Sequence, residues 1–423
     1  MSSTVRLGAN AVVIVFDRTM LMGATVMGGP WWGGAWVTPN TERVIVGVIA
    51  AAGARGPRYR LKGSEREFIR MNSNSYLSLS LHPELIAAAD EATRQFGVGP
   101  GAVRFIDGTF APHAALEERI ARFVGKPAAK IFNSAYTANC GLALAISSAT
   151  TYWIGDQLNH NSIIRAMRIA GVPSANKAIY PHNDMAALAR CLAAVPADME
   201  RVVVIFDGIF SMRGDCAPVD RIVAIAGPCG SRFKEGLVTV MDDSHGIGAF
   251  GPRGRGTADH TGALPDIVIG TFGKAFGVNG GFIAASRIVI EAVRQKADTY
   301  IYTNPLSAAD CAAALRAVDL CDGPEGRLRL DHVRAMVVRF RRGIERLGWP
   351  SIPGPHPIVP LLVRETPRTH ALVQHLYTAG VLAVGLTYPV VPRGDETIRF
   401  QINAAHTEAD IDHVLKALAT FTG

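Results

Sequence analysis

The sequence lacks the cysteine spacings that bind zinc. It contains six cysteines, and they form no CxxC or CxxH arrangement. Without these spacings a structural zinc site is not expected, and scattered cysteines are typical of a protein in a reducing compartment. We therefore expect a cytoplasmic protein with no metal site.

Charge is also sparse, and no block of basic residues occurs. Charged residues make up 19% of the 423 residues and hydrophobic residues 48%, which is typical of a globular protein rather than a disordered one. The formal net charge of +7 is spread along the chain. This distribution favours anionic small ligands at least as well as nucleic acid, and we expect no nucleic-acid partner.

Only one stretch raises the question of a membrane span. Residues 19–41 carry no charge, but they include five glycines and two prolines, and Asp17 and Arg18 interrupt the apolar run before them. Since these residues disfavour a continuous apolar helix, we expect neither a span nor a signal peptide. The first 60 residues are rich in glycine and tryptophan, and their structure is hard to predict.

Beyond this segment, short apolar runs alternate with helical patterns. The runs that read as buried strands are KIFN (130–133), TYWIG (151–155), RVVVIFDG (201–208), LVTVMDD (237–243), DIVIG (266–270) and GGFIAA (280–285). Such alternation predicts an α/β fold with a mostly parallel sheet covered by helices.

The pattern changes after about residue 305, and the length exceeds one ordinary core. One long helical stretch at 307–347 is followed by shorter strand and helix patterns, as in an α+β unit. We predict three parts: a divergent N-terminal segment (1–66), a large α/β domain (67–305) and a smaller C-terminal domain (306–423).

Three loops that follow predicted strands contain residues suited to catalysis, and ligands of such sheets bind at this edge. Lys274 follows DIVIG in the glycine-lined loop GTFGKAFG, where partial desolvation would lower its pKa and suit it to imine formation and proton transfer. Asp242 ends LVTVMD and could keep a ring nitrogen protonated, and His160 could stack on an aromatic ring. The ordinary alternatives are a surface lysine, a turn-capping aspartate and a core histidine.

An anion site is predicted close to these residues. The segment 134–136 lies between a strand and a helix, so its backbone N–H groups can point at a phosphate, and Thr271 offers a hydroxyl. An imine-forming lysine, a carboxylate for a pyridine nitrogen, a stacking ring and a phosphate cradle together indicate pyridoxal 5'-phosphate as the cofactor.

The chain from about residue 67 onward resembles the α-oxoamine synthases. The motifs that carry the resemblance are VRFIDGTFAPHAALE, LNHNSII, DGIFSMRGD, DDSHGIGAFG and YPVVPRGDETIRFQINAAHT. These fold-type I pyridoxal phosphate enzymes join an amino acid to an acyl thioester, and most members release CO2. Several stretches look most similar to 2-amino-3-ketobutyrate CoA ligase, also called glycine C-acetyltransferase.

The resemblance implies a role for each catalytic residue. Lys274 would form the imine and serve as the acid and base, Asp242 would pair with the pyridine nitrogen, and His160 would stack on the ring. His245 and Ser211 would contact the phenolic oxygen of the cofactor.

The family forms homodimers with shared sites, so the implied phosphate contacts come from two subunits. One subunit would provide the amides of Ala135 and Tyr136 with the hydroxyl of Thr271, and the other would provide Thr303 and Asn304 of YTNPLS. For the substrate, Arg399 would bind the carboxylate, because a guanidinium grips it with two parallel hydrogen bonds. Asn74 would lie beside the substrate.

Some features depart from the family pattern and leave the substrates open. Arg213 stands in SMRGD where the family usually has an acid, and the loop KAFGVNGGF has the length seen in 8-amino-7-oxononanoate synthases. Alternatives are therefore an 8-amino-7-oxononanoate synthase-like activity, a lyase or aldolase acting on β-hydroxy amino acids, or a non-catalytic binder. Trp31, Trp32 and Trp36 either line an acyl channel or pack at a dimer interface.

Overall fold

The computed structural model describes residues 49–52, 57–388 and 390–423. The predictions for Trp31, Trp32 and Trp36 lie outside these residues. The strands, in chain order, are β1 (Ile49–Ala52), β2 (Arg58–Leu61), β3 (Glu67–Arg70), β4 (Ala128–Phe132), β5 (Thr151–Asp156), β6 (Lys177–Tyr180), β7 (Arg201–Asp207), β8 (Leu237–Asp242), β9 (Ile267–Thr271), β10 (Gly281–Ala285), β11 (Ile358–Leu362), β12 (Val381–Leu382), β13 (Val384–Leu386) and β14 (Thr397–Gln401).

Helices fill most of the connections between these strands. They are α1 (Pro83–Phe96), α2 (Ala111–Val124), α3 (Ala135–Ile146), α4 (Asn161–Ile169), α5 (Met185–Ala193), α6 (Val219–Ala226), α7 (Thr257–Thr261), α8 (Arg287–Lys296), α9 (Asp298–Ile301), α10 (Ala308–Asp322), α11 (Pro324–Arg346), α12 (Thr366–Thr378) and α13 (Glu408–Ala419). None of the helices in the described ranges combines the length and the apolar character that a membrane crossing needs.

A seven-stranded sheet forms the centre of the molecule, with the order β4-β10-β9-β8-β7-β5-β6. Strand β10 is antiparallel to both of its neighbours, and the other adjacent pairs are parallel. The predicted mostly parallel α/β sheet is therefore confirmed, and all six predicted runs of this region are strands.

The sheet has a separate hydrophobic core on each face because its side chains alternate in direction. In β7, Val202 and Val204 belong to one core, and Val203 and Ile205 belong to the other. All four are buried, and each contributes about 1.5–3 kcal/mol through burial. A continuous apolar run is thus the signature of a strand covered on both faces.

Two local predictions were incomplete. Strand β6 was missed because it has four residues, lies at the sheet edge and exposes Ile179. The long helical stretch expected at 307–347 consists of two helices, which are separated at Gly323 and Pro324. Proline is favoured in the first turn of a helix but ends a preceding one, so α11 begins where α10 stops.

Two smaller sheets involve the C-terminal part of the chain. Strands β11, β14 and β13 form an antiparallel sheet, and β1, β2, β3 and β12 form a mixed one in which β3 pairs parallel with β12. The proposed domain limits at residues 66 and 305 stay predictions. All six cysteines lie in the described part of the chain, and each is free.

Candidate active site

Lys274 lies in the loop between β9 and β10, beside the carboxyl ends of the parallel strands. Its side chain is half-buried, and within the described ranges its Nζ has only longer-range charge partners. Burial lowers the pKa of the amine to about 8, and the carboxylates of Asp242 and Asp207 oppose this shift. A far larger fraction of this amine than of an ordinary lysine is therefore neutral, and nucleophilic, near neutral pH.

Asp242 is the last residue of β8, and its carboxylate is held in one position. It is 3% exposed, its Oδ2 accepts a hydrogen bond from Asn139 Nδ2 at 2.6 Å, and its Oδ1 accepts one from Ser244 N at 3.0 Å. Asn139 also reaches Ser162 Oγ at 3.1 Å. A buried carboxylate fixed in this way can stabilise a proton on a ligand nitrogen.

His160 immediately precedes helix α4 and is exposed. Its Nδ1 accepts a hydrogen bond from Ser162 N and lies 2.7 Å from Ser162 Oγ, while its backbone N–H donates to Asp207 Oδ2 at 2.6 Å. Burial lowers the pKa of His160, although Asp242 opposes the shift. The ring of His160 is thus neutral and offers an aromatic face. The backbone of the same residue is hydrogen-bonded to the end of β7.

His245 is buried and hydrogen-bonded through both its ring and its backbone. Tyr76 Oη lies 2.7 Å from His245 Nδ1, and His356 Nε2 lies 2.9 Å from the carbonyl oxygen of His245. Burial raises the pKa of the Tyr76 phenol, so the phenol stays protonated, and its Oη also donates to Asn74 Oδ1 at 3.3 Å. Burial also lowers the pKa of His245 far below its usual range, which leaves a neutral ring.

Arg399 in β14 retains a guanidinium that pairs with neutral oxygens. Its Nε donates to the carbonyl oxygen of Ser211 at 2.6 Å, and one Nη donates to Asn74 Oδ1 at 3.3 Å. Gln401 Nε2 also donates to Asn74 Oδ1, at 2.8 Å. Burial lowers the pKa of Arg399, but arginine stays charged, and among the described residues no carboxylate pairs with it. A guanidinium without an anionic partner among the described residues is suited to bind a ligand carboxylate.

The start of helix α3 leaves two backbone N–H groups available to an anion. Ser134 caps the helix: its Oγ accepts a hydrogen bond from Thr137 N, and its carbonyl oxygen accepts one from Ala138 N. In the described part of the chain, the amides of Ala135 and Tyr136 are the donors that remain at this end, where the helix dipole attracts negative charge.

The other predicted phosphate contacts lie around this helix start. The Thr271 hydroxyl donates to the carbonyl oxygen of Gly280 at 2.8 Å and accepts a hydrogen bond from Gly273 N at 3.0 Å. The carbonyl oxygen of Asn304 accepts a hydrogen bond from Asn133 Nδ2 of the same chain at 2.9 Å. The roles of Thr271, Thr303 and Asn304 toward a phosphate stay predictions.

Gly281 lies directly against the start of helix α3, beside the backbone amide of Ala135. This close approach allows a test of the predicted phosphate site. A Cβ on Gly281 would lie 2.3 Å from Ala135 N and 2.4 Å from the carbonyl carbon of Ser134. We expect Gly281→Ala to displace the helix start at a cost of about 1–3 kcal/mol, and so to weaken phosphate or cofactor binding by about 10- to 100-fold. Equilibrium titration of the cofactor-free protein measures this change.

Gly343→Ala is the matched control, because its Cβ would meet the side chain of Leu415 at 2.3 Å, in the packing of α11 against α13. It should lower the melting temperature without altering the affinity. Equal affinity losses in both variants would show that the Gly281 effect is one of stability alone.

Residues 66–418 match the family model named aminotransferase class I and II. The chain belongs to this family. The curated relatives include 8-amino-7-oxononanoate synthase from Geobacter sulfurreducens, which is 38% identical over 370 residues, covering 87% of this chain and 92% of the relative. The enzyme of the same name from Herminiimonas arsenicoxydans is 35% identical over 364 residues, covering 85% and 91%.

Solved structures agree with this assignment. Serine palmitoyltransferase from Sphingomonas wittichii superposes with a TM-score of 0.81 at 26% identity, covering 88% of this chain and 91% of that one. The structure of 8-amino-7-oxononanoate synthase from Francisella tularensis, with a TM-score of 0.69 and 20% identity, shows the shared fold. The chain is thus an α-oxoamine synthase, a pyridoxal phosphate-dependent acyltransferase. The narrower similarity to glycine C-acetyltransferase is not confirmed by these relatives.

The structure of this α-oxoamine synthase adds residues that the sequence patterns did not single out. Tyr76 and His356 hold His245, and Asn139 holds Asp242. Asp207 is a further carboxylate of the site, and burial together with the charge of Asp242 raises its pKa well above the usual range. Its place at the end of RVVVIFDG, one strand from Asp242, was the signal that could have revealed it.

Proposed function

We propose that this enzyme condenses a small amino acid with a carboxylated acyl thioester, releases CO2 and the thiol, and yields an α-amino ketone of the 8-amino-7-oxononanoate type. Similarity to synthases of that name over 92% of a relative's length supports the proposal. The product name itself defines the precursors: a CH3–CH(NH2) unit from alanine, joined to a seven-carbon dicarboxylic acyl chain.

The observation that carries the reaction class is one half-buried amine within range of the charge of one buried carboxylate. Lys274 has a pKa of about 8 and no close partner among the described residues, and Asp242 lies at the end of a neighbouring strand. Arg399 adds a cation that no described carboxylate neutralises. Lys274 can react with an aldehyde, Asp242 can pair with a protonated ring nitrogen, and Arg399 can bind a substrate carboxylate.

The residues of the site fit pyridoxal 5'-phosphate. The amides of Ala135 and Tyr136, above Gly281, would receive its phosphate. Asp242 would hold the proton on its ring nitrogen, and His160 would cover one face of the ring. When bound, this cofactor supplies an electron-withdrawing ring that stabilises negative charge at the amino acid Cα.

The chain's own groups then orient the substrate and move its protons. Arg399 would bind the substrate carboxylate, and the Ser211 carbonyl and Asn74 would fix the plane of its guanidinium. Lys274, as a neutral amine, would take the Cα proton. The neutral ring of His245, held by Tyr76, would contact the phenolic oxygen of the cofactor.

A second candidate is an acyltransferase that uses serine and a long acyl chain. The TM-score of 0.81 to serine palmitoyltransferase over 88% of the chain favours it. A lyase acting on β-hydroxy amino acids would need the same lysine, aspartate and histidine, but it would release no thiol.

A matrix of substrates separates these activities. Glycine, L-alanine and L-serine are each combined with acetyl-, pimeloyl- and palmitoyl-CoA, and both the free thiol and the product mass are recorded. We expect the highest kcat/KM with L-alanine and pimeloyl-CoA. Palmitoyl-CoA with serine as the best pair would establish the second candidate. Cleavage of a β-hydroxy amino acid without thiol release would contradict both acyltransferase activities and identify the enzyme as a lyase.

A further inference from the structure

A charged histidine lies outside the residues assigned to catalysis. His182 follows strand β6, and its ring lies between two carboxylates: Nδ1 is 3.1 Å from Asp156 Oδ1, and Nε2 is 3.2 Å from Asp215 Oδ2. Asp156 ends β5, and Asp215 belongs to the loop of residues 208–217 that follows β7. The ring therefore joins the edge of the central sheet to this loop.

The ring is protonated at neutral pH. Burial alone would lower the pKa of His182, but hydrogen bonds to Asp156 and Asp215 and the charges of these two residues outweigh burial and raise the pKa to about 9. Asp215 also pairs with Arg213 Nε at 2.8 Å, and its own pKa is lowered although burial opposes this. Asp156 further accepts the backbone N–H of Asn183 at 2.9 Å.

Asp156 and Asp215 are the carboxylates that face the His182 ring, and Asn183 Nδ2 lies 3.3 Å from its Nε2. The ring packs edge-on against Phe210, with centroids 4.3 Å apart, and the Cys216 thiol near Asp215 has a pKa raised by burial. The Arg213 side chain is 42% exposed and belongs to the same loop as Asp215, so its pair with Asp215 does not connect the loop to the sheet. Of these two cations, His182 is the one that ties Asp215 to the edge of the central sheet.

The loop held by Asp215 is the one that orients Arg399. Phe210 N donates to the carbonyl oxygen of Asp215 at 3.0 Å, and Ile209 and Cys216 form an antiparallel bridge across the loop. At its tip, the carbonyl oxygen of Ser211 accepts the Nε–H of Arg399 at 2.6 Å. A path of direct contacts therefore runs from the His182 ring to the guanidinium.

We propose that protonated His182 is a positioning residue for the amino acid substrate: it clamps the loop 208–217, and through the Ser211 carbonyl it fixes the orientation of Arg399. This inference rests on the proposed function, in which Arg399 binds the substrate carboxylate. His182 itself touches no reacting atom. Its removal therefore affects amino acid binding more than the subsequent chemistry.

Steady-state kinetics of the holoenzyme test this role, with the amino acid varied at saturating acyl thioester. For His182→Gln, which keeps a hydrogen-bonding side chain but no charge, we expect the amino acid KM to rise about tenfold, as for the loss of a charge-assisted hydrogen bond, with kcat changed little. Asp215→Asn should likewise raise the amino acid KM with little change in kcat. It tests the same contact if His182→Gln does not fold. Arg213→Gln is the matched control and should change this KM by no more than about threefold.

The pH profile gives a readout that a purely structural role would not produce. The imidazolium is present below its pKa and lost above it, so the wild-type KM should rise as pH passes through about 9. The ratio of the His182→Gln KM to the wild-type KM should fall toward one over that range, because the wild type then loses the charge that the variant lacks. Titration of the substrate amino group affects both enzymes equally and cancels in this ratio. An unchanged KM in both clamp variants, or a ratio independent of pH, would overturn the proposal. A wild-type enzyme that condenses none of the amino acids would instead contradict the proposed function.

Discussion

Replacement of Lys274 by alanine is expected to lower the rate of thiol release by about 10⁴-fold or more, because one side chain provides both the attacking amine and the acid and base. The half-buried position of Lys274, with a pKa near 8, makes it the described lysine best suited to these tasks. Thiol release from the acyl thioester in the presence of the amino acid measures the effect.

Lys296→Ala provides the control, since this exposed lysine at the end of α8 lies outside the site. It should leave the rate unchanged. In addition, wild-type protein stripped of cofactor should take up pyridoxal phosphate faster as the pH rises through about 8, because only the neutral amine attacks an aldehyde. A Lys274→Ala enzyme that keeps most of its activity would remove the basis of the proposed mechanism.

Arg399→Gln is expected to raise the amino acid KM about 100-fold, with a smaller effect on kcat. The substitution removes a charged, two-pronged donor to the substrate carboxylate, and charged hydrogen bonds of this kind contribute about 1.5–3 kcal/mol. The remaining partners of Arg399, the Ser211 carbonyl and Asn74, are neutral, so its loss leaves no unpaired described carboxylate behind. Initial rates at varied amino acid concentration measure the change.

The KM for the acyl thioester distinguishes substrate binding from general damage. It should stay near the wild-type value in Arg399→Gln, while Arg287→Gln, at an exposed site at the start of α8, should alter neither constant. Parallel increases in both KM values would indicate a structural role for Arg399. An unchanged amino acid KM would show that the carboxylate binds elsewhere.

The proposed chemistry depends on how the site distributes its charges. Asp207 and Asp242 lie opposite each other in adjacent strands, and the mutual repulsion together with burial raises the pKa of Asp207 well above its usual range. Lys274 attracts both carboxylates from the next loop. His245 and His160 both have lowered pKa values and add no competing positive charge near neutral pH.

Much of the central fold could be predicted because buried parallel strands leave a local pattern. The runs at β5, β7 and β8 are apolar over most of their length, which matches strands covered on both faces. Where local patterns are weak, prediction was less complete: β6 is short and half-exposed at the sheet edge, and the break between α10 and α11 depends on one Gly-Pro pair.

The sequence by itself determined the alternation of strands and helices and the positions of Lys274, Asp242 and His160 at or just after strand ends, along one edge of the sheet. Only the tertiary structure decided which partners meet, because those partners are far apart in the chain: Asn139 is 103 residues from Asp242, and Tyr76 is 169 residues from His245. The protonation states of these side chains also depend on the tertiary structure, since a pKa is set by burial and by charges that are close in space rather than along the chain. The neutral His245 and the charged His182 have the same side chain, and their surroundings alone set them apart.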